Sequence, residues 1–171
     1  GKIRAEFMSQ TLVVGISDYR VSRKPNILVT YALGSCVGIC LYDKRLQVGG
    51  LAHIMLPDST QFQHQHQEIN RMKFADTAIV DVVKEMQLLG ADIRNITAKI
   101  AGGAKMFQMQ SNTQFGSIGD RNVDSVKQVL GNWEIPIIAE DTRKNYGRTV
   151  YFDLSTGIMK VSSLGKNLLE L

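Results

Sequence analysis

Cysteine is scarce in this chain of 171 residues: there are two, Cys36 and Cys40. A bond across that four-residue spacing would strain a strand, and one pair is no secreted disulfide framework. The sequence therefore reads as a cytoplasmic protein with free thiols. Proline is also rare, with three residues, and aromatics make up 7%. No apolar run approaches the roughly 20 residues of a membrane-spanning helix, and no secretory leader is visible. The positive charge is mild, a formal +4. Basic residues are scattered and lack aromatic interleaving, which excludes a nucleic-acid binder. Gly1 to Phe7, before Met8, reads as an expression scar. Lys2, Arg4 and Glu6 supply one net positive charge, so the remainder carries +3.

What is present is a globular composition, 44% hydrophobic and 21% charged, with 15 glycines for tight turns. No repeat or linker divides residues 8–171, which read as one domain. Strand signals fall at Thr11 to Ile16, Ile27 to Leu33, Val37 to Asp43, Val48 to Leu56, Ile96 to Ala101 and Ile135 to Ala139. A closing hairpin is expected from Thr149 to Phe152 and Ile158 to Val161. Met72, Ala75, Ile79, Val82, Val83, Met86 and Leu89 trace one helical face, with Asn70 as N-cap and Gly90 as stop. Asp124 can cap a second helix through Leu130. Helices set between strands predict an α+β fold, a layered α/β sandwich with a mixed sheet.

The chemistry gathers at one hairpin. A four-residue loop from Asp43 to Leu46 pairs residues whose numbers sum to 89, which sets Cys36 opposite His53 on one face. An imidazole beside a thiol can take its proton and create a nucleophile for a carbonyl carbon. It can then return the proton to the leaving group. A third group must fix the ring, and Thr30 offers a hydroxyl in the preceding strand. Gly34 and Ser35 give a permissive turn that can aim backbone N–H groups, with that of Cys36, at an oxyanion. The plainer reading also stands: a packed core thiol, a satisfied buried histidine and a glycine bulge.

The stretch TYALGSCVGICLYD…VGGLAHIMLPDS, from Thr30 to Ser59, resembles the signature of the CheD family, chemoreceptor glutamine deamidases. MKFADTAIVDVVKEM, GGAKMF, IGDRN, AED and YGR follow in the family's order, so the likeness runs from about Leu12 to Val161. The resemblance implies the fold of a toxin-type deamidase and a catalytic triad of Cys36, His53 and Thr30. It implies hydrolysis of glutamine side-chain amides on the cytoplasmic helical stalk of chemoreceptors, without metal or other cofactor. A CheC-type CheY-phosphate phosphatase is implied as a second partner. One departure stands out: Arg143-Lys144 occupy a place where the family usually has two glycines.

Other residues admit two readings. Gly102 and Gly103 lack Walker spacing and are expected to allow close backbone approach near the pocket, where they are also candidates for substrate or partner contact. Phe107, Arg121 and Asn122 are candidates for substrate or partner contact, or for core and turn roles. His64 and His66 could chelate a metal weakly, but read better as part of a solvated loop, which could also act as a lid. Cys40 falls on the same face as Cys36 and reads as a packed thiol. The competing function is a non-catalytic binding module that docks CheC or receptor helices. A cysteine peptidase is disfavoured by the order and spacing of the residues.

Overall fold

The computed structural model describes residues 8–62, 68–106 and 117–171. Two five-stranded sheets and two helices form three layers. The outer sheet has the order β1-β3-β8-β9-β10, from β1 (Thr11–Val13), β3 (Ile27–Leu33), β8 (Arg148–Asp153), β9 (Met159–Ser162) and β10 (Leu169–Glu170). The middle sheet has the order β2-β5-β4-β6-β7, from β2 (Asp18–Arg23), β5 (Val48–Ile54), β4 (Val37–Asp43), β6 (Ile96–Gly102) and β7 (Ile137–Thr142). Helices α1 (Ala75–Leu88) and α2 (Ile118–Asn132) cover the far face of the middle sheet. Each sheet is mixed, with a parallel pair at β1–β3 and at β6–β7. The expected layered fold stands, with two mixed sheets where the sequence reading had one.

Covering on both sides explains the composition of β4 and β5. Every residue of both strands is buried, so neither shows the alternation of a half-wet strand. Val37, Ile39, Leu41, Ala52 and Ile54 pack toward the helices, while Cys40, Tyr42 and Leu51 pack between the sheets. Gly49 and Gly50 let both neighbouring layers press on β5. A Cβ on Gly49 would lie 2.7 Å from Leu154, and one on Gly50 2.5 Å from Val82.

Several boundaries differ from the sequence reading. Asn70 caps a short 3-10 turn, Arg71–Lys73, and α1 begins only at Ala75. The second helix starts six residues before Asp124. Ser117 is its N-cap and accepts from the N–H of Asp120. Strand β2 was not foreseen, because DYRVSR sets only Tyr19 and Val21 among four charged or polar residues. As an edge strand it needs them on one face only.

Candidate functional site

Asp43 sets the register of the central hairpin. It remains in β4 as the partner of Val48, and its Oδ1 accepts from the N–H groups of Arg45 (3.0 Å) and Leu46 (3.3 Å). The loop therefore runs over residues 44–47, one position later than expected, and Gln47 closes it at φ 54°. The paired residues sum to 91: Val37 faces Ile54 and Gly38 faces His53. The predicted facing pair of Cys36 and His53 is corrected to a diagonal one. A shift of two residues preserves the face, because side chains alternate with a period of two. Diagonal neighbours stand about 7–8 Å apart at the backbone, within reach of an imidazole. Gly38 lies between them. A Cβ there would meet Leu33 Cδ1 at 3.1 Å and Thr30 Cγ2 at 3.7 Å. The missing side chain leaves this part of the inter-sheet layer to the imidazole and the hydroxyl, a role the sequence reading missed.

Thr30 reaches His53 from the facing sheet. Its Oγ1 lies 2.7 Å from His53 Nδ1 and 2.8 Å from the carbonyl oxygen of Val14. The hydroxyl has one proton, and only a donor can satisfy a carbonyl oxygen. Thr30 thus donates to Val14 and accepts from Nδ1–H. That assignment puts the imidazole lone pair on Nε2. His53 Nε2 is buried and has no hydrogen-bond partner among the described residues. The acceptor on Val14 was invisible in the sequence because it belongs to the main chain. A β-bulge follows Thr30, with Ala32 at φ 58°, and turns Tyr31 and Ala32 outward.

Cys36 sits at the mouth of the layer, one residue before β4, and is half-buried. Burial raises its thiol above the usual range, opposed by a hydrogen bond from its own backbone N–H. Burial lowers His53 to about 4. Both shifts favour a thiol beside a neutral imidazole over the thiolate–imidazolium pair that the chemistry allows.

The turn before Cys36 is held from behind. Gly103 N–H donates to Cys36 O and Ala104 N–H to Gly34 O, both at 2.8 Å. Gly102, at φ 109°, packs so closely that a Cβ would lie 2.3 Å from Cys36 O. Gly102 and Gly103 are buried supports of the turn. Asn122 is fully buried, and its Nδ2 donates to Ser35 O and Met55 O, each at 2.9 Å. Arg121 is exposed on α2. Phe107, His64 and His66 lie outside the described residues. Among those described, no group of three metal-ligating side chains comes together.

Arg143 and Lys144 both have positive φ, 68° and 63°. This left-handed region costs a side-chain-bearing residue about 1–2 kcal/mol, which accounts for a glycine preference there. Arg143 offsets that cost by binding Asp120 (2.7 Å) and Asp124 (2.8 Å) on α2. Its N–H also donates to Gly102 O at 2.8 Å.

Residues 55–163 match the family described as CheD chemotactic sensory transduction. The chain is 48% identical to a probable chemoreceptor glutamine deamidase CheD of Clostridium novyi, over 91% of this chain and 94% of that one. It is 49% identical to the similarly named protein of Moorella thermoacetica, over 93% and 94%. The chain belongs to the CheD family. The family match begins after His53, so the likeness around Thr30 and Cys36 rests on these nearly full-length relatives. Among solved structures, a Bacillus licheniformis hypothetical protein YfiH superposes with a TM-score of 0.44 at 14% identity, over 73% of this chain and 50% of that one.

Proposed function

We propose that this CheD-family chain is a chemoreceptor glutamine deamidase with Cys36 as nucleophile, His53 as base and Thr30 as the group that orients the base. The observation that carries the reading is the Thr30–His53 hydrogen bond. It fixes the tautomer and leaves the Nε2 lone pair in the layer that Cys36 shares. A purely structural histidine gains nothing from a buried, unpartnered nitrogen, since such an atom costs about 1–3 kcal/mol.

With a neutral resting pair, proton transfer accompanies attack. Nε2 takes the Sγ proton as sulfur adds to the carboxamide carbon of glutamine, giving a tetrahedral oxyanion and an imidazolium. The Cys36 N–H, which lies beside the sulfur, can hold the oxyanion, with the Gly34-Ser35 turn supplying further backbone. The imidazolium returns its proton to the nitrogen, the C–N bond breaks and ammonia leaves a thioester. His53 then takes a proton from water, hydroxide adds to the thioester carbon and the C–S bond breaks. The imidazolium gives its proton to the departing sulfur, which restores the Cys36 thiol and neutral His53 and releases the new glutamate side chain.

A cytoplasmic receptor stalk fits the mouth of the site. Tyr31, Met55 and Met106 are exposed apolar side chains next to Thr30, two residues beyond His53 and against Gly34. They offer a protein surface something to rest on while one glutamine enters. The reading also carries a CheC-type phosphatase as a second partner, which co-elution of the two purified proteins tests. For the reaction, the chain is incubated with the cytoplasmic fragment of a cognate receptor, and glutamine-to-glutamate conversion is mapped by mass spectrometry. Cys36→Ala is expected to lose at least about 1,000-fold in rate while keeping its fold. Conversion by that variant at the wild-type rate sinks the proposal.

A further inference from the structure

Asn122 is buried near the start of α2, and its single side-chain nitrogen meets two main-chain oxygens, Ser35 O and Met55 O. Two acceptors at one end of a carboxamide settle which end is the NH2 group. Ser35 O belongs to the peptide that joins Ser35 to Cys36. That bond is trans, the cis bond among the described residues being Lys24-Pro25. In a planar trans peptide the C=O and N–H directions are opposed. Drawing Ser35 O toward α2 therefore turns the Cys36 N–H away from the helix.

The second bond ties the same amide to Met55 O, two residues beyond His53. One side chain thus links the nucleophile's turn to the strand that carries the base. Its own helix is braced in turn. Arg143 grips Asp120 and Asp124, and Ser125 Oγ donates to Pro57 O at 2.6 Å. Gly119 packs on the carbonyls of Gly103 and Ala104, where a Cβ would come within 2.5–2.6 Å.

We infer that Asn122 is a positioning residue, which holds the Ser35–Cys36 peptide so that the Cys36 N–H faces the developing oxyanion. The inference rests on the deamidase reading and adds a residue that touches neither substrate nor reacting atoms. Without the two bonds nothing holds Ser35 O, and although the flanking carbonyls of Gly34 and Cys36 stay bonded, the plane of the peptide between them can turn its donor away from where charge develops. Loss of one oxyanion donor costs about 100- to 1,000-fold in kcat.

Two reactions of the same sulfur make the test. Deamidation passes through an oxyanion, whereas alkylation by iodoacetamide is a displacement at a saturated carbon and does not. In Asn122→Ala, kcat for receptor deamidation should fall about 100-fold at unchanged KM, while Cys36 alkylates within about twofold of wild type. Parallel loss of both reactions, or unchanged deamidation in the folded variant, overturns the inference. Should circular dichroism show that Asn122→Ala has lost its fold, Asn122→Asp has the same shape. Its carboxyl can donate only when protonated, so its kcat relative to wild type should rise as pH falls. A ratio that does not change with pH overturns the inference as well. Wild type and Cys36→Ala run alongside. An inactive wild type defeats the deamidase reading itself, whereas an active wild type with an equally active Asn122→Ala defeats only the role of Asn122.

Discussion

The two cysteines share a face and the layer between the sheets, yet they occupy opposite chemical situations. Cys40, inside β4, is paired with Leu51 of β5 and packed in the inter-sheet cluster with Tyr42 and Phe152, at 1% exposure. Burial drives its pKa far above the usual range, and the charge of Lys99 offsets this only in part. Cys36 lies one step outside the strand, half-open, with a buried base diagonal to it and its own N–H against the sulfur. Residue type and strand face are the same. What differs is the distance to the end of the sheet, where the ladder stops and a turn can present a side chain to a large substrate.

Thiol labelling breaks the comparison most sharply. At pH 8 iodoacetamide should modify Cys36 at least about 100-fold faster than Cys40, which reacts only when the fold opens. The rate at Cys36 should climb about tenfold per pH unit between pH 6 and 8, as the thiolate fraction of an unshifted or raised thiol does. Peptide mapping after labelling separates the two sites. A rate already high and flat at pH 5 would show a thiolate–imidazolium pair at rest, and with it a mechanism that starts from the ion.

The base can be titrated through stability. His53 lies at about 4 in the folded chain, against 6.5 for a free imidazole. Between those values the unfolded chain binds the extra proton, so stability rises with pH across the window and is lost as pH falls through it. The full difference corresponds to about 3 kcal/mol, of which about 2 kcal/mol is gone at pH 5. Urea unfolding at pH 7.5 and pH 5 measures the drop, and His53→Gln should remove this part of it. An equal drop in both proteins would place the lost stability in other groups.

The site was more legible in the sequence than the path to it. Alternation assigned Cys36, His53 and Cys40 to one face correctly, although the loop was placed one residue early. A register error of two residues moves a partner along the strand but never through the sheet. The error itself arose because Asp43 serves both as the last strand residue and as the acceptor that caps the loop. That double duty is carried by a side-chain oxygen bonding main-chain N–H groups, which no hydrophobic pattern records. The early start of α2 was hidden because Gly119, Asp120, Arg121 and Asn122 carry little apolar signal. With the helix begun at Asp124, Asn122 was left in front of it, as either a substrate contact or a residue closing a turn. Within the helix it points inward to the Cys36 turn.

The smallest effect tests the finest part of the geometry. Thr30 gives its only proton to Val14 O and so must receive from Nδ1, which is what leaves Nε2 free to act as the base. Thr30→Val keeps the shape but takes away both bonds, so the ring loses its fixed tautomer. A loss of about tenfold in kcat at unchanged KM is expected, equivalent to about 1.4 kcal/mol. Thr30→Ser retains a hydroxyl able to make both contacts and should recover most of that loss. The pair isolates the hydrogen bond from packing, because valine fills the space of threonine better than serine does. If the valine variant is fully active and the serine variant impaired, Thr30 serves the core between the sheets, and His53 is oriented by that packing alone.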